Sequence, residues 1–292
     1  MLIPFENDLD IGNTLESGQV FRWERVDSKP INNPWFRGVI FGNLVQIQQN
    51  QHGIEFNCTP AKEIDLLPTI KNYFRLQDDL STIYKYIGLD NRIKSSISEY
   101  PGMRILNQDP WECLISFICS SASNIPKISR NIESLCSTFG EPIRVKANTY
   151  YSFPTPNALA SATEFKIRNL GLGFRSRYVS KVSEIVASGK FDLHSLKHMP
   201  YQEALNQLIL LPGVGDKVAN CVLLFSLNKL EAFPVDVWIQ RVIKEWYSPL
   251  DPNLENLPDS KLRYWAQNRF GQYSGYANHY LFHKRRLQGN NQ

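Results

Sequence analysis

The ten residues Leu211 to Asn220, LPGVGDKVAN, constrain the fold more than any other stretch of the chain. Pro212 ends the helix-like run before it, because proline lacks the amide a helix needs. Two glycines one residue apart then turn the chain. Val214 between them can pack inward, and Asp216 can cap a new helix that has Lys217 in its first turn. Glycine has no Cβ, so the amides of Gly213 and Gly215 can approach a ligand closely. A helix amino terminus favours anions such as phosphate. A lysine in this setting, near a carboxylate, can act as an amine nucleophile, and the segment Phe233-Pro234-Val235-Asp236 brings a carboxylate soon afterwards. Taken singly, each feature has a plain structural explanation. The glycines suit an ordinary helix corner, Lys217 a solvated surface, and Asp236 a helix cap after Pro234-Val235. Together they describe a hairpin that holds a phosphate backbone and carries its own catalyst.

The 292 residues are enough for two or three subdomains with a sizeable core. A hydrophobic content of 42% with 21% charged residues is that of a folded chain, not a disordered one. The net charge of +4 allows nucleic-acid binding without demanding it; the run His283-Lys284-Arg285-Arg286 is the more suggestive local feature. The five cysteines include no C-x-x-C pair, so neither a zinc ribbon nor an iron–sulfur loop is expected. Four of the five (Cys58, Cys113, Cys119, Cys136 and Cys221) stand in apolar or helical contexts, where a reduced buried thiol is the usual reading. An intracellular, reducing compartment is therefore expected. Neither a signal-like amino terminus nor an apolar run of about 18 residues is present, and no membrane association is expected.

The first hundred residues read as strand-rich. WFRGVIFGNLVQIQQ holds two β-rich runs broken at Gly42-Asn43, a hairpin signal, and SGQVFRWERV reads as another strand entered through Gly18. From Pro101 the pattern turns helical. Asp109-Pro110-Trp111-Glu112 resembles a capping box with proline at the first helical position. Helices are expected at Ile125–Phe139, Arg175–Ser188, Tyr201–Leu210, Lys217–Leu227 and Asp236–Glu245. The expected fold class is α+β: an N-terminal antiparallel β-sheet domain over 1–102, then a mostly helical region over 103–292.

LPGVGDKVANC followed by FPVDVW resembles the signature of the helix-hairpin-helix DNA glycosylases, and within them the 8-oxoguanine DNA glycosylase branch. SGQVFRWERV is similar to that branch's N-terminal substrate-contact segment. WECLISFICSSASNI resembles its interdomain helix and DNA-inserting loop, LGLGFRSRYV its wedge, and YANHYLF its C-terminal pocket helix. The resemblance implies a TBP-like N-terminal sheet and a helix-hairpin-helix bundle. It implies a bifunctional enzyme that flips 8-oxoguanine, and ring-opened purines as a further class, out of duplex DNA. Such an enzyme displaces the base through a lysine Schiff base and cuts the strand by β-elimination.

By this resemblance Lys217 is the nucleophile and Asp236 the catalytic carboxylate. The carbonyl of Gly18 accepts the N7 proton that 8-oxoguanine has and guanine lacks, a discrimination by one unpaired group. Cys221 and Phe282 sandwich the base, although a buried thiol and a core aromatic are the plain alternatives. Asn278 stands where the family usually has a longer glutamine reading the Watson–Crick edge. Gly213, Val214 and Gly215 hold DNA phosphates. Ala122, Ser123 and Asn124, with Phe174, fill the gap left by the extruded base. Arg175 and Lys127 face the opposite base, and Trp238 takes a place usually held by a phosphate-contacting histidine. Ala122 replaces an asparagine and Lys127 an arginine, so a relaxed preference for the opposite base is expected. No metal ligands and no organic cofactor are expected, with a structural cation at the hairpin the one exception. The expected partner is lesion-bearing double-stranded DNA, met by a monomer wherever the genome is held (nucleoid or nucleus). The rival readings are a glycosylase of this fold for alkylated bases or adenine, and a non-catalytic helix-hairpin-helix module.

Overall fold

The computed structural model describes residues 1–5, 8–26 and 33–289. Five strands, β1 (Leu2–Pro4), β2 (Glu24–Arg25), β3 (Phe36–Ile40), β4 (Asn43–Asn50) and β5 (Gly53–Thr59), form an antiparallel sheet in the order β1-β5-β4-β3-β2. Alternation along β4 and β5 sends Val45, Ile47, Ile54 and Phe56 to one buried face, with Ile47 opposite Phe56 across the pair. That face packs with α1 (Ile11–Glu16) and α2 (Glu63–Tyr73), which contribute Ile11, Leu66 and Ile70. The β3–β4 turn lies one residue earlier than the sequence suggested. Its central residues are Phe41 and Gly42, both at positive φ (45° and 76°), while Asn43 already belongs to β4.

SGQVFRWERV is not the strand its β-rich composition suggests. Only Glu24 and Arg25 pair in the sheet. The preceding residues are held by the side chain of Gln19, which donates to the carbonyls of Thr14 and Arg104 at 2.9 Å. Its Oε1 accepts from the Leu106 amide at 2.8 Å, and the Gln19 carbonyl accepts from Gln108 Nε2 at 2.7 Å. One amide thus takes the place of a ladder and fixes Gly18 against the segment that joins the two halves of the molecule.

Helices α3 (Leu80–Ile87) and α4 (Asn91–Glu99) fall within the first 102 residues but pack into the second, larger core. That core continues through α5 (Pro110–Cys119) and α6 (Ile125–Phe139). A small hairpin, β6 (Pro142–Val145) with β7 (Asn148–Tyr151), follows. Then come α7 (Pro156–Ala160), α8 (Glu164–Ile167), α9 (Arg175–Ala187), α10 (Tyr201–Ile209), α11 (Asp216–Ser226), α12 (Val237–Val242), α13 (Asp259–Phe270) and α14 (Ser274–Gly289).

The caps explain the boundaries. Asp109 accepts from the Glu112 amide at 2.9 Å ahead of Pro110, as the sequence indicates. Asn124 accepts from the Lys127 amide at 3.0 Å and starts α6 where expected. After α12 the chain widens into a π-turn over Ile243–Tyr247, which accounts for the longer helix expected there.

Candidate active site

Between α10 and α11 the hairpin closes with the Val214 amide donating to the Leu211 carbonyl at 3.1 Å. Val214 is buried, as its place between the glycines suggests. Gly213 has φ +80°, and a Cβ there would lie 2.5 Å from the Tyr178 ring of α9, so a side chain is excluded on both counts. Gly215, not Asp216, is the N-cap of α11. Asp216 is the first helical residue, and its carboxylate receives Arg263 of α13 in three contacts of 3.1–3.2 Å. Asn220 donates to the same residue, and Tyr201 links Asn220 to Arg263. This brace holds the first turn of α11 rigid. Hydrogen bonds to charged groups contribute about 1.5–3 kcal/mol. Arg263→Met is therefore expected to lower stability by about 2 kcal/mol in urea titration and to leave the covalent chemistry intact.

Along α11, Lys217, Cys221 and Phe225 recur at four-residue spacing and line a cavity of about 580 Å³. Lys217 Nζ donates to Ser120 Oγ at 2.8 Å and lies 5.1 Å from the centre of the Phe117 ring. Ser120 donates its own hydroxyl proton to the Phe117 carbonyl at 2.7 Å, which turns its lone pairs to the lysine. Burial pushes the Cys221 thiol up to about 11; Lys217 pulls it down and Asp236 pushes it up. Cys221 is thus an uncharged surface at neutral pH.

Asp236 is both a cap and a wall of the cavity. Its Oδ1 accepts from the Trp238 and Ile239 amides at 3.0 and 2.9 Å, starting α12, and Oδ2 takes no hydrogen bond from any described residue. Burial raises its carboxyl above the usual value, while the cap amide of Ile239 and nearby Lys217 hold it down.

Opposite these, Gly18 sits at φ +86°, and a Cβ there would come within 3.0 Å of Ile125 and 3.3 Å of Phe282. Its carbonyl accepts from no described residue. Phe282 and Asn278 of α14 complete the wall. Asn278 Nδ2 donates to the Pro234 carbonyl at 2.8 Å, which engages one of its two amide hydrogens and leaves the other, with Oδ1, to face a ligand.

The cavity therefore brings together Gly18, Ser123, Asn124, Lys217, Cys221, Asp236, Trp238, Asn278 and Phe282. Gly213, Val214, Gly215, Ala122, Lys127, Phe174 and Arg175 lie outside it. Phe174 is 53% exposed, its ring beneath the Arg175 guanidinium at 4.5 Å and edge-on to Tyr178. Lys127 is exposed. Arg175, expected to face the opposite base, is instead 4% exposed. It donates to the carbonyls of Ser121, Ala122 and Leu172 and so clamps the turn in which Ala122 holds φ +48°. Trp238 packs beneath Arg241 and against Gly289.

The basic run near the end is also not a free patch. Lys284 pairs with Glu99, Arg285 with Glu245 at 2.8 Å, Arg286 binds the Glu16 carbonyl, and His283 is buried. Sequence reasoning missed Ser120, Gln19, Phe225 and His279. Of these only Phe225 left a signal, eight residues beyond Lys217 on the same helical face.

The five cysteines are all free, four of them buried. Among the described residues no cluster of three or more His, Cys, Asp or Glu side chains could hold a metal ion, and no helix is long and apolar enough to cross a membrane.

Residues 1–114 match the sequence profile of the 8-oxoguanine DNA glycosylase N-terminal domain, and residues 115–265 that of HhH-GPD superfamily base excision DNA repair proteins. A Saccharomyces cerevisiae N-glycosylase/DNA lyase is 31% identical over 96% of this chain and 84% of its own. The structure of MBOgg1 with a low-affinity DNA ligand superposes with a TM-score of 0.90 at 33% identity, covering 99% of this chain and 96% of that one. The Clostridium acetobutylicum 8-oxoguanine glycosylase/lyase, bound to duplex DNA with cytosine opposite 8-oxoguanine, gives 0.88 at 29% identity over 99% and 98%.

Proposed function

We propose the following chemistry for this chain, which belongs to the 8-oxoguanine DNA glycosylase family of the HhH-GPD superfamily. It is a bifunctional N-glycosylase and AP lyase that excises 8-oxoguanine from duplex DNA. The observation that carries this reading is the single cavity that holds an amine, a capped carboxylate and an unpaired Gly18 carbonyl. A base within a duplex is out of reach, so it is extruded and the unstacking cost accepted. The unpaired amides of Gly213 and Gly215 hold the DNA backbone and position it without reading sequence. Phe174 enters the space left by the base.

Lys217 Nζ attacks C1′ as the glycosidic bond breaks, and the proton that the nitrogen sheds passes to the departing base. Asp236 faces the positive charge that develops on the sugar. The base leaves, the sugar ring opens to a Schiff base on Nζ, and loss of a C2′ proton expels the 3′ phosphate. The reading needs no organic cofactor. A cation at the hairpin would take the carbonyls of Gly213 and Val214, which accept from no described residue. The enzyme acts where the genome is, in the nucleoid or the nucleus, and a monomer supplies every residue of the site.

The partner base is read loosely. Ala122 has no side-chain hydrogen bond to give, Arg175 is engaged by the Ser121–Ala122 turn, and a lysine at 127 lacks the planar fork of an arginine. Denaturing gels of four duplexes, with C, A, G or T opposite 8-oxoguanine, test both points. Cleavage 3′ to the lesion in all four, at rates within about tenfold, is the expected result; a tenfold step is one lost hydrogen bond. Uncut strands in every duplex reject the activity, and a steep preference for C rejects the loose reading.

A further inference from the structure

His279 stands next to Asn278 on α14, is 2% exposed, and lines the cavity beside Gln19 and Phe225. Its ring meets Phe225 edge-on, with centroids 5.6 Å apart at 68°. Nε2 is buried without a partner, and neither ring nitrogen bonds to a described residue. His283, one turn further on, offers none: its Nδ1 faces Arg286 at 3.4 Å and its own Nε2 is unpaired. Burial, with His283 and Arg286 adding to it, holds the His279 imidazole at about 3, so it is neutral under working conditions. A neutral imidazole carries one N–H donor and one lone pair. Buried polar groups are almost always paired, so an unpaired one in a cavity wall calls for a partner, and the cavity is where one can arrive.

Asn278 sharpens the point. Its side chain is one methylene shorter than a glutamine, and one of its two amide hydrogens is held by the Pro234 carbonyl, which anchors it back from the cavity. Of the polar α14 residues that line the cavity, His279 stands directly beside the shortened Asn278, while Arg286 lies two turns further on and is drawn to the Glu16 carbonyl.

We propose that His279 reads the Watson–Crick edge of the extruded purine, pairing with a group that the shortened Asn278 leaves unmet. The inference rests on the glycosylase reading above. Nothing in the hairpin or in the lysine chemistry requires it, so the two can fail separately.

The test is single-turnover excision by the full chain from three duplexes, carrying 8-oxoguanine, 8-oxohypoxanthine (no 2-amino group) or 8-oxoadenine (no 2-amino group, a 6-amino group for the 6-oxo group and a lone pair for the N1 proton). Wild type is expected to favour 8-oxoguanine over at least one analogue by about tenfold or more, the penalty of one unpaired edge group. In His279→Phe that preference falls towards one, chiefly through a slower reaction on 8-oxoguanine. The melting temperature stays at or above wild type, because an apolar ring replaces two unpaired nitrogens against Phe225. His279→Gln, which keeps a donor and an acceptor, recovers part of the preference. Unchanged analogue ratios in a folded His279→Phe protein overturn the proposal. So does an equal loss on all three duplexes with a lowered melting temperature, the mark of a purely structural histidine. A wild-type enzyme that leaves 8-oxoguanine uncut rejects the glycosylase reading, and this inference with it.

Discussion

Lys217→Gln is expected to remove every trace of a borohydride-trapped covalent complex with an 8-oxoguanine duplex and to slow base release by roughly four orders of magnitude or more, the scale of losing a nucleophile. The geometry makes this a clean experiment. The ammonium donates to Ser120 Oγ at 2.8 Å, and that hydroxyl is itself committed to the Phe117 carbonyl. A glutamine amide donates to the same lone pair, so the fold around the first turn of α11 should persist and the melting temperature change little. What glutamine cannot supply is an amine lone pair for C1′. Trapping or strand cleavage that survives in the variant at wild-type rate would reassign the nucleophile to another residue.

Asp236→Asn separates chemistry from stability, because two consequences of one carboxylate point in opposite directions. Charge stabilisation at a developing cation is worth about 10²–10⁴-fold, and the rate of base release should drop by that amount. Stability should not drop. Asparagine is as good an N-cap as aspartate and keeps an acceptor for the Trp238 and Ile239 amides. The carboxyl of Asp236 is raised above its ordinary value in the folded chain, burial being the first cause. A raised folded pKa gives stability that is fully present below the unfolded value of about 3.9 and is lost as pH rises through the folded value. At pH 7.5 wild type has therefore lost that contribution and the variant has no such loss. The melting temperature of Asp236→Asn should equal or exceed wild type at pH 7.5, with the advantage fading below pH 4. The same shift sets the acid limb of the single-turnover rate, which should fall at a pH above the ordinary aspartate range and be absent from the variant's residual rate. A variant that is inactive and also markedly less stable at pH 7.5 would show that the carboxylate is mainly structural.

How much of this was legible in the sequence follows from the range of the interactions. Local rules set α6, where Asn124 caps and Pro126 sits in the first turn, and they set the glycines of the hairpin. Lys217, Cys221 and Phe225 share a helical face that the spacing alone reveals. Contacts between distant segments left no such mark. Asp216 reads as a cap because aspartate before a helix usually is one, yet Arg263, 47 positions later, captures it and Gly215 takes the cap. Ser120 lies 97 positions from the lysine that it orients. SGQVFRWERV has the composition of a strand but is bound by Gln19 to a segment 85 positions away. The basic residues near the end look like a nucleic-acid patch until their acidic partners, on other elements, are in view.

Lys217 lies only two positions beyond Gly215 of the hairpin, and the Asp216–Arg263 brace keeps them from shifting relative to each other. Two residues of helix measure about 3 Å. Successive nucleotides of one strand rise by about 3.4 Å along the duplex axis. The enzyme thus holds its hairpin amides and its amine at a fixed offset. When its amides seat on a phosphate, a single sugar comes into range of the amine, and a slip of one step carries that sugar away. Interrogation of a long duplex then proceeds as a series of discrete settings, each committing the amine to one nucleotide and no other.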